Sequence, residues 1–168
     1  MTSRFRKSAT VAALAGSFVT AAEGVRYVAY YDPPGIATIC MGDTINVKIT
    51  DVATDAECLA RLDARLNQFS TAIDKCLPAN LPEPSYVAYL SAAYNIGAPA
   101  FCGSSMARRT NEGNLKGGCD ALLLWDKITL GGVKVALPGL KKRRAEERAL
   151  CMKGVVMQGI KLTWSPQP

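Results

Sequence analysis

The sequence predicts an α+β fold, mostly helical, with a small antiparallel β lobe set against a larger helical lobe. Three observations predict it. Residues 24–49 are rich in Tyr, Val, Ile and Thr and are broken by Asp32-Pro33-Pro34-Gly35 and Gly42-Asp43, the pattern of short strands joined by turns. After Thr54 the apolar residues recur at helical spacing instead. The 168 residues, nearly half of them apolar, suit one domain with enough apolar surface for a sizeable core.

Residues 1–22 form a basic and weakly apolar N-terminal segment. Arg4, Arg6 and Lys7 precede an uncharged run from Ser8 to Ala22, mostly Ala, Val, Gly, Ser and Thr. The run fits two structures. One is an uncleaved export anchor that engages the inner membrane through residues 8–22. The other is a first helix that packs into the core through Val11, Leu14, Phe18 and Val19. It falls short of the roughly 20 apolar residues of a spanning helix, and cleavage after Thr20-Ala21-Ala22 would leave Glu23 as the first residue. The main body is expected over 23–162. A tail at 163–168 and the first few residues are expected to be disordered.

Thr54-Asp55-Ala56-Glu57 is a capping box ahead of Cys58, Leu59, Leu62, Leu66, Phe69 and Ile73, which predicts a long helix over 55–75. Pro78, Pro82 and Pro84 break the chain, and Ser85 is placed to cap a second helix carrying Val87, Leu90, Ala93 and Tyr94 until Gly97 stops it. Helices near 102–112 and 116–127 follow. A glycine-rich connection through Gly131 and Gly132 then leads to Pro138-Gly139-Leu140 and a final helix over Arg143–Met157.

Histidine is absent, which removes Ser-His-Asp and Cys-His catalysis and every histidine-based metal site. Chemistry must rest on carboxylates, thiols, hydroxyls or lysine, and neither a metal nor a cofactor is called for. The six cysteines, Cys40, Cys58, Cys76, Cys102, Cys119 and Cys151, never form C-x-x-C, and so dispersed a set reads as disulfides made in an oxidising compartment. A net charge of +6 favours anionic partners such as nucleic acid, anionic lipid or wall polymers. Nucleic acid is set aside, because no aromatic residues interleave the basic run as a base-stacking groove requires.

Glu23 ends the first helix, Asp32 stands at the Pro-Pro-Gly turn and Thr38 lies in the next strand, a spacing of E-x8-D-x5-T. Folding the hairpin back brings the three toward one cleft. A pair of acids fits glycoside hydrolysis: one carboxyl donates a proton to the leaving oxygen while the other stays ionised to activate water or bind developing positive charge.

Three stretches go further. They are Glu23-Gly24 with Ala29-Tyr30-Tyr31-Asp32, Gly35 and Thr38; Ala93-Tyr94-Asn95-Ile96-Gly97; and Gly139-Leu140-Lys141-Lys142-Arg143-Arg144 with Glu147. In this order they make the sequence resemble the phage-type lysozymes, glycoside hydrolase family 24. The resemblance implies a lysozyme-like fold with a glycan cleft between its lobes, and a monomeric endolysin without a cofactor. Its substrate would be the β-1,4 bond between N-acetylmuramic acid and N-acetylglucosamine in bacterial peptidoglycan. Glu23 would be the general acid, while Asp32 and Thr38 position the water that attacks with inversion. Arg144 would pair with Glu23, with Arg143 as the alternative, and Asn95 would support the site. The basic N-terminus is also similar to that of signal-anchor-release endolysins, which are exported uncleaved and act in the host periplasm after leaving the membrane. Many relatives carry histidine after Met41-Gly42; this chain has Asp43, which is read as structural.

On the implied lobes, Cys40 meets Cys58, Cys76 meets Cys102 and Cys119 meets Cys151, one of fifteen possible connectivities. Two rivals use the same residues differently. A cationic wall-binding or membrane-disrupting protein would use the run from Lys141 to Arg144 and not the acids. A lytic transglycosylase would need one acid against the same bond; the presence of Asp32 and Thr38 favours hydrolysis.

Overall fold

The computed structural model describes residues 3–32 and 34–163, so the tail expected at 163–168 lies, beyond Thr163, outside the described residues. The chain runs α1 (Arg4–Lys7), α2 (Ala9–Glu23), β1 (Arg26–Tyr31), β2 (Ala37–Cys40), α3 (Asp55–Ile73), α4 (Glu83–Ile96), α5 (Ala98–Cys102), α6 (Ser105–Asn111), α7 (Leu115–Ala121), β3 (Lys127–Leu130), β4 (Val133–Ala136) and α8 (Pro138–Thr163). The β1–β2 hairpin is the small lobe, and helices with a second hairpin, β3–β4, make up the rest, the mostly helical α+β fold that the sequence predicts.

From Ser3 onward the first residues are ordered where disorder was expected, and residues 1–2 lie outside the described residues. Phe5 is buried, and its N–H donates to Ser70 Oγ at 3.1 Å. Arg4 donates its backbone N–H to Asp74 Oδ2 at 2.8 Å, and its guanidinium donates to the carbonyls of Pro78 and Ala79 at 2.8 and 2.9 Å while lying over the Tyr86 ring. The cause is the loop after α3, whose carbonyls at Pro78 and Ala79 accept from the Arg4 guanidinium.

Ser8 caps α2 by accepting from Val11 N–H. This helix packs chiefly on α4, through Val11, Ala15 and Val19, all fully buried. The expected face therefore needs correction: Leu14 is 40% exposed and Phe18 half-buried, because small Ala15 in line with the two valines is the residue that meets the core. Among the described residues no helix is long and apolar enough to cross a membrane.

The capping box forms at α3: Thr54 Oγ1 accepts from Glu57 N–H, and Glu57 Oε2 accepts from Thr54 N–H at 2.7 Å. Cys58, Leu62, Leu66, Ser70 and Ile73 make its buried stripe, and Leu59 faces outward. Helix α4 is the core: every residue from Ser85 to Ala93 is buried. Ser85 does not cap it. The helix starts two residues earlier, with Pro84 in its first turn, where no N–H is needed. Ser85 instead donates to the Cys151 carbonyl on α8 at 2.8 Å. Opposite it, a Cβ on Gly154 would come within 2.1 Å of Ser85 Oγ, so only glycine permits this contact of α4 with α8.

Two further stretches differ from expectation. The helix expected near 102–112 is α6, with the separate short α5 before it, and that near 116–127 ends as α7 with a 3-10 turn at Leu122–Leu124. The connection at Gly131-Gly132 is a hairpin, β3 pairing with β4 across two glycines of positive φ, 54° and 82°. Glycine adopts such angles freely, which suits a two-residue hairpin turn. The last helix begins at Pro138, not Arg143. The cysteines form Cys40–Cys58, Cys76–Cys102 and Cys119–Cys151.

Two outcomes follow from this packing. Phe5→Ala removes a fully packed ring and is expected to lower unfolding free energy by about 3 kcal/mol, measured by chemical denaturation; an unchanged midpoint would show that α1 does not hold the fold. Burial pushes the Tyr89 phenol up to about 12. The folded state therefore keeps a proton that the unfolded chain releases above about pH 10. The stability is fully present below pH 10 and about 2 kcal/mol is lost as pH rises toward 12, which denaturation at pH 8 and pH 11 would detect.

Candidate active site

Glu23 is the last residue of α2, and the chain leaves the helix through Gly24 at φ 70°, a conformation glycine takes without strain. That turn sends the backbone straight into β1. The Glu23 side chain is 24% exposed, covered on one side by the Met41-Gly42 turn, where a Cβ on Gly42 would stand 3.7 Å from Glu23 Oε2.

The arginine that reaches Glu23 is Arg143, not Arg144. Arg143 Nη1 donates to Glu23 Oε1 at 2.5 Å, its Nε donates to Glu147 Oε1 at 3.1 Å, and its Nη2 donates to the Ser91 carbonyl at 3.3 Å. Arg144, fully buried, donates from Nη2 to Glu147 Oε1 at 2.8 Å, and its Nε lies 2.6 Å from Glu147 Oε2. Consecutive helix residues point about 100° apart, so only one of two adjacent arginines can face the end of α2. Glu147 lies four residues after one arginine and three after the other, which lets a single carboxylate meet both. Ser91 Oγ, on α4, donates to Glu147 Oε1 at 2.7 Å. Burial pushes the Glu147 carboxyl above its ordinary range, while Arg144 and Arg143 pull it back.

The hairpin carries the other two acid-site candidates. Tyr30 pairs with Thr38 and Tyr31 with Ala37, and Asp32 N–H donates to Ile36 O at 3.0 Å. Side chains alternate along a strand, so Asp32 and Thr38 lie on the same face of the hairpin. Asp32 Oδ1 accepts from Ile36 N–H at 2.7 Å, and Thr38, buried, donates from Oγ1 to the Ile36 carbonyl at 3.0 Å. Among the described residues no hydrogen bond joins Glu23 to either of them. Asn95 is exposed in the last turn of α4.

Beside it, Tyr94 donates its hydroxyl to the Met41 carbonyl at 2.8 Å. Burial raises the Tyr94 phenol, and the nearby negative charges of Glu23 and Asp43 raise it further. Asp43 is structural, as read from sequence. It is buried, with Oδ2 at 2.7 Å from Arg61 Nη1 and Oδ1 at 3.5 Å from Arg65 Nε, and it ties the turn after β2 to α3 beside the Cys40–Cys58 bridge. Sequence reading assigned no role to Ser91, Tyr94 or Glu147. The R-R-x-x-E spacing was the available signal for Glu147.

Solved structures share this fold. The chain is similar to the endolysin from Escherichia coli O157:H7 phage FAHEc1, at 29% identity and a TM-score of 0.79, over 90% of this chain and 96% of that one. It is also similar to the muramidase domain of SpmX from Asticaccaulis excentricus, at 28% identity and a TM-score of 0.78, over 82% and 94%. Fold and site thus define a glycoside hydrolase of the lysozyme type. The chain belongs to the phage lysozyme family, whose model matches residues 20–147, from the last turn of α2 to Glu147. A SAR-endolysin of Pseudomonas phage phiKMV is 35% identical over 154 residues, 90% of this chain and 93% of that protein.

Asp43→Ala leaves Arg65 and Arg61 facing a buried gap and is expected to cost about 3 kcal/mol, read as a lower thermal midpoint in the oxidised protein. A midpoint within 1 °C of wild type would mean that the Cys40–Cys58 bridge holds the lobe alone.

Proposed function

We propose that this phage lysozyme is a muramidase that hydrolyses the β-1,4 bond between N-acetylmuramic acid and N-acetylglucosamine in peptidoglycan and so lyses the host. The observation that carries the reading is the placement of Glu23. It lies at a helix end, three-quarters covered and held by Arg143, on the chain that leads directly into the hairpin bearing Asp32 and Thr38. Glu23 donates its proton to the leaving glycosidic oxygen. Asp32 and Thr38 orient a water toward the anomeric carbon from the hairpin side, and the product forms with inversion.

The N-terminal segment 1–22 fits export without cleavage, because α2 runs unbroken into Glu23 and removing it would remove the acid's support. Residues 8–22 engage the inner membrane only before α2 packs on α4, and the enzyme acts in the periplasm as a monomer. The rival wall-binding reading loses ground on the basic run itself. Arg143 and Arg144 are buried within it, leaving Lys141 and Lys142 exposed.

Clearing of purified peptidoglycan by wild type and by Glu23→Gln tests the reading, with soluble products examined by mass spectrometry. Clearing should fall by at least 1,000-fold, on the order of a lost general acid with its electrostatic role, and wild-type products should carry reducing N-acetylmuramic ends. Undiminished clearing by the variant would sink the muramidase reading in favour of charge-driven disruption. Anhydro ends would make the protein a transglycosylase.

A further inference from the structure

We infer that Glu147 is a positioning residue that sets the acidity of Glu23 by neutralising one of the two arginines behind it, with Ser91 holding Glu147 in place. The inference rests on reading Glu23 as the general acid. A general acid must carry its proton when substrate arrives. A carboxyl facing two uncompensated guanidiniums would instead stay ionised, because nearby cations favour the charged form.

The cluster is arranged to avoid that. Glu147 Oε1 alone takes Arg143 Nε, Arg144 Nη2 and Ser91 Oγ, at 3.1, 2.8 and 2.7 Å. Arg143 Nη1 is thereby aimed at Glu23. With Glu23 protonated, Glu147 cuts the charge behind it from +2 to +1, at a place where Arg143, Arg144 and Glu147 are all buried and solvent screening is weak.

The other charged or titratable groups do not make the same correction. On α4, Tyr94 faces Glu23 as a neutral phenol. Asp43, after β2, is taken up by Arg61 and Arg65 of α3, and Arg65 also faces Tyr94. Burying such a cluster is a poor way to gain stability. Arg144 Nη1 and Glu147 Oε2 lack well-aligned hydrogen-bond partners, so the arrangement is not the best one for packing alone.

The test is the titration of Glu23 in the full oxidised chain, followed through its carboxyl carbon by NMR, beside the pH profile of peptidoglycan clearing. Glu147→Gln keeps the shape and one acceptor oxygen while removing the charge. Its Glu23 should titrate about one pH unit lower than in wild type, with the alkaline limb of activity moving down equally, about tenfold less activity on that limb. Ser91→Ala weakens the ionised form of Glu147 without removing the carboxylate, so it should shift Glu23 the same way by a smaller step, and it serves if Glu147→Gln does not fold. A Glu23 that titrates as in wild type in the folded variants overturns the inference. A shifted titration together with full clearing by Glu23→Gln would keep the electrostatic coupling and overturn the general-acid reading instead.

Discussion

One guanidinium joins three helices at the site. Arg143 stands on α8, reaches Glu23 at the end of α2, and lies against the Ser91 carbonyl on α4, with Glu147 on its own helix taking its remaining edge. A charge buried this far is tolerable only when paired and hydrogen-bonded. Each helix is therefore held to a position that keeps the others' partners in reach. The close contact of α4 and α8 through Ser85 and Gly154, and the Cys119–Cys151 bridge between α7 and α8, place Arg143 before any chemistry is considered.

The β lobe is attached to this helical body by ties of different kind. Gly24 makes the turn out of α2. The Cys40–Cys58 bridge fastens β2 to α3 covalently, Asp43 does so ionically through Arg61 and Arg65, and Tyr94 holds the Met41 carbonyl from α4. A disulfide closing a loop of this length contributes about 3 kcal/mol. The lobe carrying Asp32 and Thr38 therefore has little freedom at its root, where it borders Glu23, and its tip at Gly35 is exposed.

Much of this was legible in the sequence, and the reasons differ by residue. The capping box at Thr54 and Glu57 and the i, i+4 stripe on α3 are local patterns, and local patterns survive folding. Within the E-x8-D-x5-T spacing, the shared face of Asp32 and Thr38 was legible because a hairpin's register fixes which residues share a face. Leu14 misled because helical periodicity names a stripe but not its centre, which packing against α4 moved onto Ala15. The choice between Arg143 and Arg144 turned on helix phase relative to a distant chain end, which no local pattern carries, since Glu147 meets both. Ser85 looked like a cap because the proline before it resembled a break, when that proline belongs to the first turn. The β3–β4 hairpin was readable: two glycines between Ile128-Thr129-Leu130 and Val133-Lys134-Val135 are a hairpin signal. The docking of Arg4 and Phe5 was not, since it depends on carbonyls more than seventy residues away.

The central claim is that Glu23 protonates the leaving oxygen while a water held from the Asp32 and Thr38 side attacks in a single displacement. Proton NMR of the anomeric signals, recorded in the first minutes of hydrolysis of a soluble peptidoglycan fragment before mutarotation, tests it most directly. The account predicts that the new N-acetylmuramic reducing end appears first as the α anomer. A β anomer appearing first would contradict it, because retention requires a covalent glycosyl-enzyme and a nucleophile where this account places water.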